Sequence, residues 1–343
     1  MPHKRTLSII VYIFTWALFL NACSRPPELD THPRDFALFE NIGTPIELSQ
    51  ETPHGHIALQ HIAFINDNLQ GRVSFSCGEK EAAVWLVERL LAMGYVWEDI
   101  QIQEFSSEWI DSEWIYRQDA KPREKSQNVI LTVPGQSEQN IIVGAHYDTQ
   151  VSNPGASDNA SGMALLLESA QRMRYFDNYY TIIYIFFGAE EMGLSGSQHY
   201  VDELSESERG NILFMVNADS LFEGPYFFYA VGYNESLSPG ASDIVDAWDD
   251  IAYVLYDQYM IELTQLPDGI PDIRSDHTPF YFVDIPVVML IGLYRYESGA
   301  FWIRANHTAQ DCLHRINEEF PGKVDRALWG YSLFLEEMLL YRY

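Results

Sequence analysis

The sequence predicts a layered α/β fold with a sheet covered on both faces. Two observations carry that expectation: short apolar strands alternate with amphipathic helices, and the strands are apolar almost without interruption instead of alternating with polar residues. A third, the placing of polar clusters just after those strands, points to the end of the sheet where ligands gather in such folds.

In chain order, residues 79–93 (EKEAAVWLVERLLAM) set Ala82, Val84, Leu86, Val87, Leu90 and Leu91 at helical spacing, with Gly94 as the stop. Ile100–Phe105 and Asn128–Val133 are short and β-like. Asn140–Ala145 (NIIVGA) reads as a buried strand, and Ser161–Met173 as an apolar-faced helix. Thr181–Phe187 (TIIYIFF) is β-branched and aromatic throughout, the clearest strand of the chain. A helix over Ser195–Glu203, strands over Ile212–Val216 and Ile285–Ile291, and a closing helix over Phe320–Leu340 complete the pattern. The loops of 220–275 give no readable map.

Composition narrows the function. Of 343 residues, 47% are hydrophobic and 14% aromatic, enough for a large core, and 21 basic against 49 acidic side chains leave a formal charge of −28. So acidic a chain lacks the cations that displace phosphate counterions, which excludes nucleic acid as a partner. The three cysteines cannot build a disulfide framework. There is no GxSxG elbow, no GxxxxGK[ST] loop and no GxGxxG turn. Thiol catalysis by Cys77 or Cys312 lacks a histidine partner arrangement.

The N-terminus reads as an export signal: Lys4 and Arg5, then the apolar Ile9–Leu20, too short for the roughly 20 residues of a membrane span. Leu20-Asn21-Ala22-Cys23 resembles a bacterial lipobox, which implies residues 1–22 as signal peptide and Cys23 as the lipidated first residue of the mature chain. Ser24 behind it implies sorting to the outer membrane of a Gram-negative-type envelope, with the folded part periplasmic or extracellular. Removing residues 1–22 takes away Lys4 and Arg5 and no acid, so the mature chain is more acidic still. Residues 23–55, with five prolines, read as a tether, and 56–343 as the folded domain. Exported, Cys77 and Cys312 could pair or remain thiols.

The chemistry lies at the strand ends. His146 and Asp148 follow 140–145; Asp158 lies in GASDNASG (155–162) before a helix; Glu190 and Glu191 follow TIIYIFF; Asp219 follows 212–216; His307 comes last in NHTAQD (306–311). Singly each has an ordinary explanation, Asp158 as a helix cap, Glu190-Glu191 as a solvated loop. Together, imidazole and carboxylate without thiolate suit zinc or another divalent ion of similar hardness. His277 in SDHTPF (275–280) lines or supports such a site without being counted a ligand.

The ordered series AHYDT (145–149), GASDNASG, FFGAEEMGLSGS (186–197), VNAD (216–219), SDHTPF and NHTAQD resembles the M28 family of zinc metallopeptidases, which holds bacterial aminopeptidases. The resemblance implies a three-layer α/β/α sandwich with a mixed, mostly parallel central sheet, and two Zn2+ ions per chain. His146 and Asp219 would hold one ion and Glu191 and His307 the other, with Asp158 between them. Glu190 would be the general base, and Asp148 would take the free N–H of His146 and fix its tautomer. Asn306 stands where many relatives carry an aromatic that steadies the oxyanion; Tyr294 and Tyr296 are the candidates here to replace it. The implied activity is aminopeptidase action on peptides. Glutaminyl cyclisation or a catalytically inactive binding module of the same fold are the alternatives.

Overall fold

The computed structural model describes residues 48, 52–106, 124–236, 238–266, 273–295, 301–302 and 305–343. The signal peptide, Cys23, most of the tether and Tyr296 lie outside them.

In order come α1 (His56–Asn68), α2 (Cys77–Ala92), β1 (Ile100–Phe105), β2 (Ser126–Val133), β3 (Asn140–His146), α3 (Ser161–Met173), β4 (Thr181–Phe187), α4 (Ser195–Glu203), α5 (Glu206–Asn211), β5 (Ile212–Ala218), β6 (Tyr226–Gly232), α6 (Ala241–Tyr259), β7 (Leu263–Gln265), α7 (His277–Phe282), β8 (Val287–Arg295), β9 (Phe301–Trp302), α8 (Leu313–Glu319) and α9 (Lys323–Leu340). The strands make one mixed sheet in the order β1-β2-β4-β3-β5-β8-β6-β7, with β9 on β8. β4, β3, β5 and β8 are mutually parallel; β1 and β2 run antiparallel on one side and β6 antiparallel to β8 on the other. The expected sandwich is therefore present, with parallel pairing in the central β4-β3-β5-β8 run and again between β6 and β7 at the edge. The apolar runs alone end β5 at Val216 and set β8 at 285–291; the ladders carry β5 on to Ala218 and shift β8 to 287–295.

Register explains the continuous apolar runs. On one face Ile142, Ile185, Phe187, Met215, Met289 and Ile291 pack with Tyr200 and Val201 of α4 and Phe280 of α7. On the other, Tyr184 bonds Ser169 of α3, Phe214 meets Trp248 of α6 at 5.1 Å, and Tyr229 meets Phe334 of α9 at 5.3 Å. Over the central strands both faces are covered, so both positions of the alternation are apolar along most of β3, β4, β5 and β8. Gly162 lets α3 start against the end of β5: a Cβ there would lie 2.3 Å from the Ala218 carbonyl oxygen.

The chain is fastened to the domain slightly before α1. Glu168, buried on α3, accepts the amides of Gly55 (2.7 Å) and Ala58 (2.8 Å), the Ser332 hydroxyl and the Arg172 guanidinium. Arg172 also donates to the carbonyls of Thr52 and Pro53, and His54 meets Glu336 at 2.9 Å. The packed chain thus reaches back into the last residues of the expected tether. Cys77 and Cys312 are separate, half-buried thiols. No helix among the described residues is long and apolar enough to cross a membrane.

Candidate metal centre

Three parallel neighbours, β4, β3 and β5, end side by side, each within three residues of an acid or imidazole. β3 closes on His146, β5 releases Asp219, and β4 leads through Gly188 and Ala189 to Glu190 and Glu191. The short strands end at one level because their ladders keep His146 opposite Phe187 and Gly144 opposite Asn217. Asp158 enters from the turn before α3, and His307 from the turn before α8.

The six side chains converge. His146 Nε2 lies 3.1 Å from Asp158 Oδ1 and 3.5 Å from Asp219 Oδ1. His307 Nε2 lies 3.3 Å from Asp158 Oδ2 and 3.2 Å from Glu191 Oε2. Asp158 therefore turns one oxygen to each imidazole. Ligand atoms of His146, Glu190 and Asp219 form one group within 4.8 Å, and those of Asp158, Glu191 and His307 a second. Glu190, expected as the base, thus stands within ligand distance of the first group.

Burial and the crowding of acids set the electrostatics of this cluster. Burial alone would lower the pKa of His146, but Glu190, Asp148, Asp158 and Asp219 raise it well above its ordinary value. Burial pushes Asp158 up, yet the bonds from His146 and His307 hold it well below the usual carboxylate range. Glu190 is raised well above a normal glutamate by burial, against the attraction of His146 and with the repulsion of Glu191, Asp276 and Asp219. His307 is lifted to about 10 by its bonds to Asp158 and Glu191. Buried carboxylates this close to one another call for cations. Arg72, fully buried nearby, gives its donors to the carbonyls of Tyr147, Leu69 and Gly155 instead of to the acids. The buried Glu191 Oε1 has no partner at all. An N/O donor set with an orphaned carboxylate oxygen and one carboxylate shared by two imidazoles fits a pair of divalent ions of the zinc type.

A second layer of buried carboxylates holds these turns by their backbone. Asp148 takes the amides of Glu190 (3.0 Å) and Glu191 (3.2 Å) and the Ser74 hydroxyl (2.5 Å). Toward His146 it offers Oδ1 at 3.5 Å, while the Nδ1–H has the Asp148 carbonyl at 3.2 Å. Glu79 takes the amides of Ala189 (2.9 Å) and Phe75 (2.7 Å) and the Ser126 hydroxyl. Asp311 takes the amides of Ser157 (2.7 Å) and Asp158 (2.9 Å); burial, with Asp158 beside it, pushes its carboxyl up to about 7. The capping role that Asp158 could have filled falls to Asn159, whose Oδ1 accepts the Gly162 amide while its Nδ2 holds the Ala218 carbonyl. Sequence reasoning found neither Glu79 nor the part of Asp311. Asp311 closes the NHTAQD motif, which was the available signal. Glu79 looks like an ordinary acid in the first turn of α2.

His277 is fully buried and pushed down to about 4 by that burial. It bonds the Ile273 carbonyl and the Asn217 amide, and so supports the floor beneath Asp219. The Tyr294 hydroxyl donates to Glu319 at 3.1 Å, and its ring packs on Phe320; that engagement removes it as an oxyanion donor.

The central parallel strands and paired ligand groups define a chain of the zinc-exopeptidase fold. Residues 128–332 match the model of peptidase family M28, and the chain belongs to that family. It is 33% identical over 180 residues to aminopeptidase YwaD of Bacillus subtilis (strain 168), a match covering 52% of this chain but 37% of the relative, so the chain spans well under half of that protein's length. The fold superimposes on BSAP, a zinc aminopeptidase from Bacillus subtilis, with a TM-score of 0.65 at 17% identity, covering 86% of this chain and 97% of the other. An Acidobacteriales bacterium glutaminyl cyclase gives a TM-score of 0.62 at 20% identity, covering 85% and 97%.

Proposed function

We propose that this chain is a two-zinc exopeptidase that removes N-terminal residues from peptides, with Glu190 as general base. The observation that carries the reading is the sharing of Asp158 between two ligand groups, with the Glu190 carboxyl beside them. His146 and Asp219 would hold one ion, Glu191 and His307 the other, and Asp158 would bridge. Zinc bound there supplies Lewis acidity, which lowers the pKa of water and polarises a peptide carbonyl. Glu190 takes the proton of the attacking water and passes it to the departing amine. Its carboxyl, within ligand distance of His146 and Asp219, is placed to hold a proton between those events. Asp148 fixes its backbone and that of Glu191, so that the two carboxyls face different groups from one turn.

The cyclase reading rests on shared fold. An intact His146–Asp219 pair beside the Glu190-Glu191 turn favours two ions and hydrolysis over a single-ion cyclase. The lipid anchor at Cys23 and an outer-membrane address belong to the proposal as well, on the lipobox-like Leu20–Cys23; mass analysis of the exported protein for a diacylated Cys23 checks them.

Residues 24–343, loaded with zinc, should cleave peptides with a free N-terminus and leave N-acetylated ones intact. Glu190→Ala should lose hydrolysis while retaining two zinc ions per chain. Cleavage by Glu190→Ala at the wild-type rate overturns the mechanism, and pyroglutamate formation with one zinc per chain replaces it with the cyclase.

A further inference from the structure

Asp219 and His307 belong to different ligand groups and lie 88 positions apart, yet a hydrogen-bonded chain joins their turns. The Asn306 side-chain amide donates to Ser220 Oγ at 2.7 Å, and Ser220 Oγ donates to Asp219 Oδ1 at 3.0 Å. The direction is forced. An amide NH2 can only donate, so the Ser220 oxygen must accept from it, and the single hydroxyl proton is left for the carboxylate. Turning the amide over would bring Asn306 Oδ1 to Ser220 and draw that proton away from Asp219. The observed orientation instead leaves Asn306 Oδ1 buried without a partner, and keeps the stronger bond, that to a charged acceptor.

Both ends of this link are held in tight backbone. Ser220 has φ 56° and His307 φ 61°, left-handed conformations kept by surrounding contacts. The Ser220 carbonyl accepts the Gly292 amide, and the Ala305 amide donates to Glu223 three residues further along the Ser220 turn. The other oxygen of Asp219 accepts from Ser275 at 2.7 Å, on the side of the first group only. Asp148 joins the Glu190 and Glu191 amides on the β4 side of the site; the Asn306–Ser220 link is the side-chain chain that runs from the His307 turn to the Asp219 carboxylate itself.

We propose that Asn306 is a positioning residue that couples the two halves of the metal centre, so that an ion held at His307 fixes the 305–307 turn and, through Ser220, the carboxylate that receives the other ion. This rests on the two-zinc reading above. Coupling of this kind is reciprocal: whichever group fills first prepares the other.

The test is a zinc titration of the metal-free protein, residues 24–343, against a chromophoric chelator, resolving the two stepwise constants. The wild type should bind two ions. In Asn306→Ala the stoichiometry should stay at two while the second step weakens about tenfold relative to the first, in line with what loss of a ligand-orienting bond does to metal affinity. Ser220→Ala should give the same split without touching the 305–307 turn, and the double variant should add nothing further, because both changes cut one link. A wild type that binds fewer than two ions sinks the two-zinc reading itself. With two ions bound, an unchanged ratio of steps in Asn306→Ala, a uniform weakening of both steps, or additive effects of the two substitutions overturns the coupling alone.

Discussion

The two ligand groups differ in how they are built. His146 and Asp219 sit at strand ends in the interior, His146 only 1% exposed, whereas His307 lies on a turn at the rim with 57% of its side chain open to solvent. The interior group inherits its geometry from the ladder of β3 and β5. His307, unlike its group partners Asp158 and Glu191, has no strand end near it and depends on loop contacts: the Ala305 amide on Glu223, the Thr308 hydroxyl on the Ala305 carbonyl and the Asn306 amide on Ser220. His146 and Asp219 are placed by the sheet; His307 is placed by a few hydrogen bonds. Asp158 belongs to both.

The sharpest way to erase this difference is Asp158→Ala, which removes the carboxylate facing both imidazoles. Zinc per chain should fall from two toward none, and peptide hydrolysis to background; retention of one tightly held ion would show that the groups stand independently. The next test separates them. In metal-free protein, His146→Ala should lower the urea unfolding free energy by about 3 kcal/mol or more, because buried carboxylates lose their partner. His307→Ala removes a largely solvent-exposed imidazole from Asp158 and Glu191 and should cost less, about 1 kcal/mol, while still losing an ion from the loaded protein. Equal destabilisation by both would remove the distinction between interior and rim.

The smallest effect concerns the support under the rim turn. Lys323 at the start of α9 donates to the Glu223 carbonyl at 3.0 Å and lies over the ring of Phe227. Burial lowers its pKa from 10.5 to about 7, against the attraction of Glu223. The unfolded chain therefore holds a proton between those values that the folded chain has given up. Wild-type stability should rise relative to Lys323→Met as pH climbs from about 7 to 10.5, and the difference should be flat below 7. A constant difference in denaturation midpoints across that range would contradict the buried, neutral lysine.

The same division governs what the sequence makes legible. Strand-end ligands stand out because each follows an apolar, β-branched run whose end is visible: TIIYIFF announces Glu190 and Glu191, NIIVGA announces His146. α6 was missed although Ile244, Val245, Trp248, Ile251, Ala252 and Leu255 all turn inward, because it lies amid acidic and aromatic residues within the unmapped 220–275. β6, with YFFYAV, lies in the same stretch. The buried acids Glu79, Glu168 and Asp311 are invisible for another reason. Aspartate and glutamate are surface residues by default, and only tertiary contact reveals that these three bond backbone amides from distant segments. Asn306 was noticed as a departure from the family pattern, but its hydrogen bond to Ser220 is a property of two loops meeting in space.

The Glu168–Arg172 fastening has a mechanical side. Arg172 lies about 16 Å along α3 from Ser161 at 1.5 Å per residue, so the chain enters the domain at the pole away from the ligands. Tension on the N-terminal segment would be borne there, by a buried ion pair with backbone bonds to Thr52, Pro53, Gly55 and Ala58, and would not be transmitted to Asp158.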